Sequence, residues 1–390
     1  MIVTSPSLGR LLRTWTLGAA LALLGGCGGG VGTGGTGSEA QGPITGFGSV
    51  IVAGVTWDDS DATVLDEDGH AVSRTGDELR LGMTIALEGE GEGDQATART
   101  IRIDTTIVGP LETVNVAGRV VQVLGQSVRV DAGTSFDPSA PRGLVDLRPG
   151  DVVAVYGLPE ASGNGQLATR IEPAAAGAKM RLRGTVAALD TSARTFRIGS
   201  LLLAYGGAIA VPAGLADGQE VRIVVKAPGG GVGGPWEVVS FGAQDEAPDE
   251  GDRAQVEGIV ASYASSGHFV VDGLSIDARV AQVQPTNAVL ANGVRVQVSG
   301  RMSFRSLVAE RVTVLANSDV QQRVYKLNGR IDTLNAAAET FVLRKTVVDY
   351  SNAEFIDGSA SNLSAGDRVR VEGPMSADGG RLLATKVEFR

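Results

Sequence analysis

The chain has one cysteine, two histidines and only 4 % aromatic residues in 390 positions, and each scarcity closes off a class of function. A lone thiol excludes an intramolecular disulfide framework. With His70 and His268 roughly 200 residues apart, it also excludes a tetrahedral zinc site of cysteine and histidine ligands. A serine hydrolase needs a histidine beside an activated serine, yet there is no Gly-x-Ser-x-Gly elbow. Basic residues are short as well, 34 against 44 acidic for a net charge of -10, so the electrostatic footprint of a nucleic-acid binder is missing. The expectation from these absences is a protein without catalytic residues, metal ligands or cofactor. What the chain has in quantity is glycine, 55 residues, with 14 prolines and frequent valine, a composition of short strands and many turns.

Long apolar runs are also lacking. The longest candidate, Thr14 to Leu24, is 11 residues, against the ~20 that a helix needs to cross a bilayer. Arg10 and Arg13 precede it and two small residues follow, which is the layout of a cleaved secretory signal peptide over residues 1–26. Leu24-Gly25-Gly26-Cys27 resembles the lipobox of bacterial lipoproteins, and that resemblance implies Cys27 as the lipidated first residue of the mature chain. An unpaired thiol in an exported protein needs an explanation, and lipidation supplies one. Each buried methylene contributes about 0.8 kcal/mol, so two or more acyl chains hold stably. Gly28, where an Asp would retain a Gram-negative lipoprotein at the inner membrane, points to the outer membrane, facing either the periplasm or the surface.

Gly28 to Gln41 is half glycine and reads as a tether, with a mean reach of about 20 Å as a random coil. Gly30, Gly32 and Gly35 satisfy G-x-G-x-x-G, as do Gly229, Gly231 and Gly234, but neither set lies between a strand and a helix start, so neither marks a nucleotide site. Removing residues 1–26 takes the charge to -12, and Arg253 to Arg390 carries 16 bases against 14 acids. The negative excess therefore sits entirely on the membrane-proximal part, an acidic surface that favours solubility.

An internal repeat dominates the rest. Leu-x-x-Gly recurs at Leu79–Gly82, Leu147–Gly150, Leu215–Gly218, Leu290–Gly293 and Leu363–Gly366, with glycine spacings of 68, 68, 75 and 73. A second glycine follows seven residues later at Gly89, Gly157, Gly300 and Gly373, whereas the third copy has Val225. An upstream glycine, read at Gly46, Gly118, Gly184, Gly258 and Gly329, marks the opening strand of each copy. In Arg368-Val369-Arg370-Val371-Glu372 apolar and charged residues alternate with period two, which places one face in a core and the other in water. Five short strands in ~65 residues, taken as antiparallel, close into a small barrel rather than leave two open edges. The fold expected is all-β: tandem small five-stranded OB-like barrels over 42–108, 109–175, 179–241, 253–315 and 323–390, after a signal peptide over 1–26 and a lipidated, Gly-rich linker over 27–41. The linkers Pro173 to Ala178, Gly242 to Gly251 and Ala316 to Gln322 separate copies.

Together with the lipobox, the opening Gly46-Phe47-Gly48-Ser49-Val50-Ile51-Val52-Ala53-Gly54-Val55 and the Leu81-Gly82-Met83-Thr84-Ile85 segment resemble bacterial lipoproteins built from copies of a domain-of-unknown-function family numbered 5666. The resemblance covers nearly all of Gly42 to Phe389, most strongly in the first and fifth copies and least in the third. It implies an OB-like barrel and an envelope location, and it carries no activity.

Two further features bear on binding. The first copy has 12 acids against 4 bases from Gly42 to Ile103, among them Asp58, Asp59, Asp61, Asp66, Glu67 and Asp68; clustered carboxylates suit calcium, but the EF-hand order is absent and solvated loops are the expected reading. His70, after Asp66-Glu67-Asp68-Gly69, belongs to a hairpin tip. Trp57, Tyr205, Tyr263, Tyr350 and Phe355 lie near the strands that form the binding face of OB barrels, but with so few aromatics the core claims most of them. The sequence thus predicts a non-enzymatic, lipid-anchored envelope protein whose barrels form an extended interaction or spacer rod. Its partners are the membrane, through the anchor, and an envelope protein or glycan, with no nucleic acid. The alternative is glycan or small-ligand binding by one barrel face, assisted by calcium.

Overall fold

The structure is a computed structural model and describes residues 37–73, 78–92, 95–161, 165–229, 234–242 and 248–390. Cys27, the expected signal peptide and most of the glycine-rich segment lie outside these residues. The described chain is 57 % strand and forms five small barrels.

Each barrel has the same strand order. In barrel two the strands are Ile107–Asn115, Val120–Val123, Gln126–Phe136, Val152–Pro159 and Gly165–Pro173. The first three pair as an antiparallel meander, the fourth pairs with both the first and the fifth, and the fifth closes on the third in parallel. Barrel three repeats this ring from Arg181–Asp190 to Trp236–Phe241, barrel four from Arg253–Ser265 to Ser306–Leu315, and barrel five from Tyr325–Asn335 to Lys386–Phe389. Barrel one runs from Gly37–Gly46 to Gln95–Ile103. The expectation of purely antiparallel strands is corrected by the closing pair. Strand directions cannot alternate all the way around a ring of five, so one pair has to be parallel.

The repeated residues have the physical roles their spacing requires. The turn glycines Gly82, Gly150, Gly218, Gly293 and Gly366 all have positive φ, from 81° to 95°, where a β-carbon is penalised. Each donates its N–H to a first-strand carbonyl of its own barrel, in turn Ile44, Leu111, Val186, Val260 and Ile331, at 2.8–2.9 Å. The leucine three residues earlier packs beneath this turn: Leu79, Leu290 and Leu363 are buried, and Leu147 and Leu215 pack against the core. The second glycine marks the β-bulge between the fourth and fifth strands, where the register slips at Gly89, Gly157 and Gly300. A β-carbon there would overlap the carbonyl oxygen of Thr97, Leu167 or Val308, and at Gly373 that of Leu383. In barrel three the slip lies between Val224 and Val225, and the chain accommodates a side chain.

The first-strand glycine is corrected in two copies. Gly184, Gly258 and Gly329 pair with Val221, Val296 and Val369, three residues past their turn glycines. The equivalent partners in barrels one and two, Ile85 and Val153, pair with Gly42 and Gly109. Gly46 ends its strand and Gly118 lies in a turn. The glycine leaves room for a hairpin side chain to fold over the strand: a β-carbon at Gly109, Gly184 or Gly258 would press on Leu124, Ile198 or Val271.

The tether reading also ends too late. Gly37 to Gln41 belongs to the first strand of barrel one, where it is paired on both sides, antiparallel to Ala86–Glu90 and parallel to Arg253–Val256 of barrel four. Glycine content hid a short alternation in which Ser38 and Ala40 are buried. That second pairing overturns the extended rod. Barrel one joins barrel four through this ladder and barrel five through a bridge from Gly46 to Lys326. One apolar core spans barrels one and five and takes in Val108, Ala154 and Tyr156 of barrel two, and another spans barrels two and three. The linker before barrel five holds a single helical turn, Asn317–Gln321, whose Val320 is buried at 2 % exposure, close to Gly133 of barrel two.

Candidate binding site at a three-barrel junction

Buried charge concentrates where barrels meet. Arg170 of barrel two, fully buried, donates to Glu172 at 2.6 Å, to the Leu81 carbonyl of barrel one at 3.1 Å and to the Lys345 carbonyl of barrel five at 3.3 Å. Arg80 of barrel one reaches the same Glu172 at 2.6 Å. In barrel four the fully buried Glu257 accepts from Arg295 at 2.6 Å, from Gln297 at 2.7 Å, and from Arg323, just ahead of barrel five, at 3.1 Å. Burial alone would push this carboxyl up, but Arg323 and Arg295 hold it down at about 2. These buried, hydrogen-bonded ion pairs act as bolts between barrels.

The third junction borders a half-open cavity. Barrels one, three and four surround a cavity of about 510 Å³, within the range of small-molecule sites. Barrel one contributes Glu39 and Gln41 from its first strand, Glu88 from its fourth and Arg102 from its fifth. Across from them stand Arg183 and Arg222 of barrel three, with Gln255 and Asp272 of barrel four. Arg183 ties the junction together, donating to Asp104 at 2.9 Å, to Asp272 at 2.8 Å and to Glu220. Arg222 meets Asp104 at 2.9 Å, and Gln41 donates to Asp272 at 2.7 Å.

Glu39 faces Glu88 directly across the antiparallel ladder. Its carboxyl is pushed up to about 7, first by burial and then by the charges of Glu88 and Asp252, although it accepts a backbone hydrogen bond from Asp249. Gln255, 7 % exposed, lines the cavity, and its Oε1 has no hydrogen-bond partner among the described residues.

The residues singled out in the sequence go elsewhere. Trp57 and Tyr350 are core residues, Tyr350 stacking on Phe341 at 5.7 Å and meeting Phe355 at 6.0 Å. Tyr205 packs with Phe196 and Phe241, and Tyr263 lies partly buried against the core of barrel four. None lines the cavity. His70 ends a turn closed by Asp66, which accepts from the backbone of Asp68 and His70, and its side chain is exposed. His268 opens the second strand of barrel four. In the acidic loops, Asp58 caps Ser60 and Asp68 pairs with Lys179 at 2.9 Å. No cluster of three or more potential metal ligands occurs among the described residues. The cavity residues escaped the sequence reading because they come from three barrels. Their one local trace, charges alternating with apolar residues as in Arg181-Leu182-Arg183, reads as a solvent face.

The family model of a domain of unknown function (DUF5666) matches residues 108–172, 257–313 and 328–388, within barrels two, four and five. The first copy, expected to carry the resemblance most strongly, lies outside the matched segments, although it shares their strand order. No curated protein matches the chain. Barrels two, four and five thus match the DUF5666 model as tandem copies along the chain, each built on the same ring of strands.

Proposed function

We propose that this chain is a non-enzymatic, lipid-anchored protein of the cell envelope, held at the outer membrane through Cys27, whose five barrels form one binding module. The observation that supports binding over spacing is the packing of barrels out of chain order around a shared cavity. A spacer gains length from barrels that touch only their chain neighbours. Here the first strand of barrel one pairs with barrel four, and length is given up to build a junction. Glycan recognition by aromatic stacking is less well supported, because Trp57 and Tyr350 are committed to cores.

Metabolic labelling with a palmitate analogue tests the anchor. The wild-type chain is expected to carry label and Cys27→Ser to lose it, and equal labelling of the two would overturn the anchor. Proximity cross-linking in intact cells tests the module: a reproducible set of neighbours is expected, and recovery of random envelope proteins alone would overturn it.

A further inference from the structure

We propose that the cavity between barrels one, three and four binds a small organic cation, an amine-bearing molecule seated between Glu39 and Glu88. This deepens the reading of the chain as a binding module and names the ligand class of that same site. Like charges placed directly opposite on neighbouring strands destabilise a sheet, yet Glu39 and Glu88 occupy such a pair on the cavity wall. The arginines across the cavity have carboxylates of their own. Arg183 and Arg222 are engaged by Asp104, Glu220 and Asp272, three carboxylates for two guanidinium groups. Arg102 is the remaining base on the wall, and Asp249 and Asp252 add further negative charge beside Glu39. Among the described residues that line the site, acids outnumber bases, Glu39, Glu88, Glu220 and Asp272 against Arg102, Arg183 and Arg222. Gln255 supplies a buried acceptor, Oε1, that has no partner of its own among the described residues, the complement of a ligand N–H. An ammonium group donates three hydrogen bonds and accepts none, which suits a wall of carboxylates and an amide oxygen. A bare divalent ion fits less well, since no three potential ligands converge among the described residues.

The groups facing Glu39 are Glu88, Asp249 and Asp252, with Arg102 on the same wall. Near pH 7 its carboxyl is partly protonated, and docking of an ammonium group favours the charged form and expels that proton. Binding is therefore coupled to proton release.

Isothermal titration of the detergent-solubilised full chain with 1,4-diaminobutane, using 1,4-butanediol, succinate and calcium chloride as comparisons, tests this. The diamine is expected to bind saturably, with an enthalpy at pH 7 that varies with the ionisation enthalpy of the buffer. Glu39→Gln and Glu88→Gln are expected to weaken it about tenfold or more, and Glu39→Gln to remove the buffer dependence. Glu90→Gln, at an exposed residue paired with Arg99, should bind as the wild type does. Equal binding of butanediol or succinate, displacement of the diamine by calcium, or no heat from the diamine with a folded chain would overturn the proposal. A silent titration alongside intact Cys27 labelling and reproducible neighbours would remove the ligand class and leave the anchored module standing.

Discussion

Two glutamates in this chain respond to pH in opposite senses. Glu39, held near 7 in the folded chain against an ordinary 4.5, keeps its proton longer when folded than when unfolded. Its contribution to stability is therefore complete below about pH 4.5 and declines as pH rises through 7. Its partial exposure mutes the effect. Glu39→Gln is expected to be more stable than the wild type at pH 8 and to match it more closely at pH 5, as read from melting temperatures. Glu257 is the reverse case, fully buried and held at about 2. Its contribution is complete above about pH 4.5 and is lost as pH falls through 2. Glu257→Gln leaves Arg295 and Arg323 buried without their carboxylate, at a cost of about 3–5 kcal/mol near pH 7. Denaturant titration should show that cost shrinking toward pH 2, and a constant difference would contradict the assignment.

Within one barrel, two glycines in the fourth strand and its approach govern closure. The turn glycine reaches back to the first strand with its N–H, and the bulge glycine lets the fifth strand pass close by. Gly300→Ala sets a β-carbon against the Val308 carbonyl and is expected to destabilise barrel four by about 1–3 kcal/mol, measurable as faster amide exchange in its last two strands. Exchange unchanged from the wild type would show that the bulge relaxes freely, as it does around Val225. The seven-residue interval between these glycines was legible in sequence because both duties are local. The first-strand glycine was misplaced at Gly46 and Gly118 because its position follows from cross-strand register with Ile85 and Val153. Hairpin length, which differs between copies, obscures that register.

At the scale of the molecule, barrels near the lower size limit for independent folding share cores and buried ion pairs. Barrels one and five have a common apolar core, and Arg170 connects them to barrel two. Calorimetry is therefore expected to give one dominant unfolding transition. Arg170→Ala, which leaves Glu172 only Arg80 and the Tyr156 hydroxyl, should lower that transition and separate a component from it. Five resolved transitions in the wild-type chain would show that the barrels fold independently.

The barrel, its strand alternation and its repeat count could be read from the amino-acid order, because turn glycines, buried leucines and period-two valines act over a few residues. The lipobox proposed around Cys27 rests on an equally local pattern. Which barrels touch was not legible: the pairing of Ser38–Gln41 with Arg253–Val256 spans more than 200 positions and rests on backbone groups that every sequence possesses. The cavity was hidden for the same reason. Glu39, Arg183 and Gln255 look like ordinary polar residues of separate strands, and only the packing of three barrels against one another makes them a single wall, burying Arg183 and Gln255 and half-burying Glu39 beside the exposed Glu88.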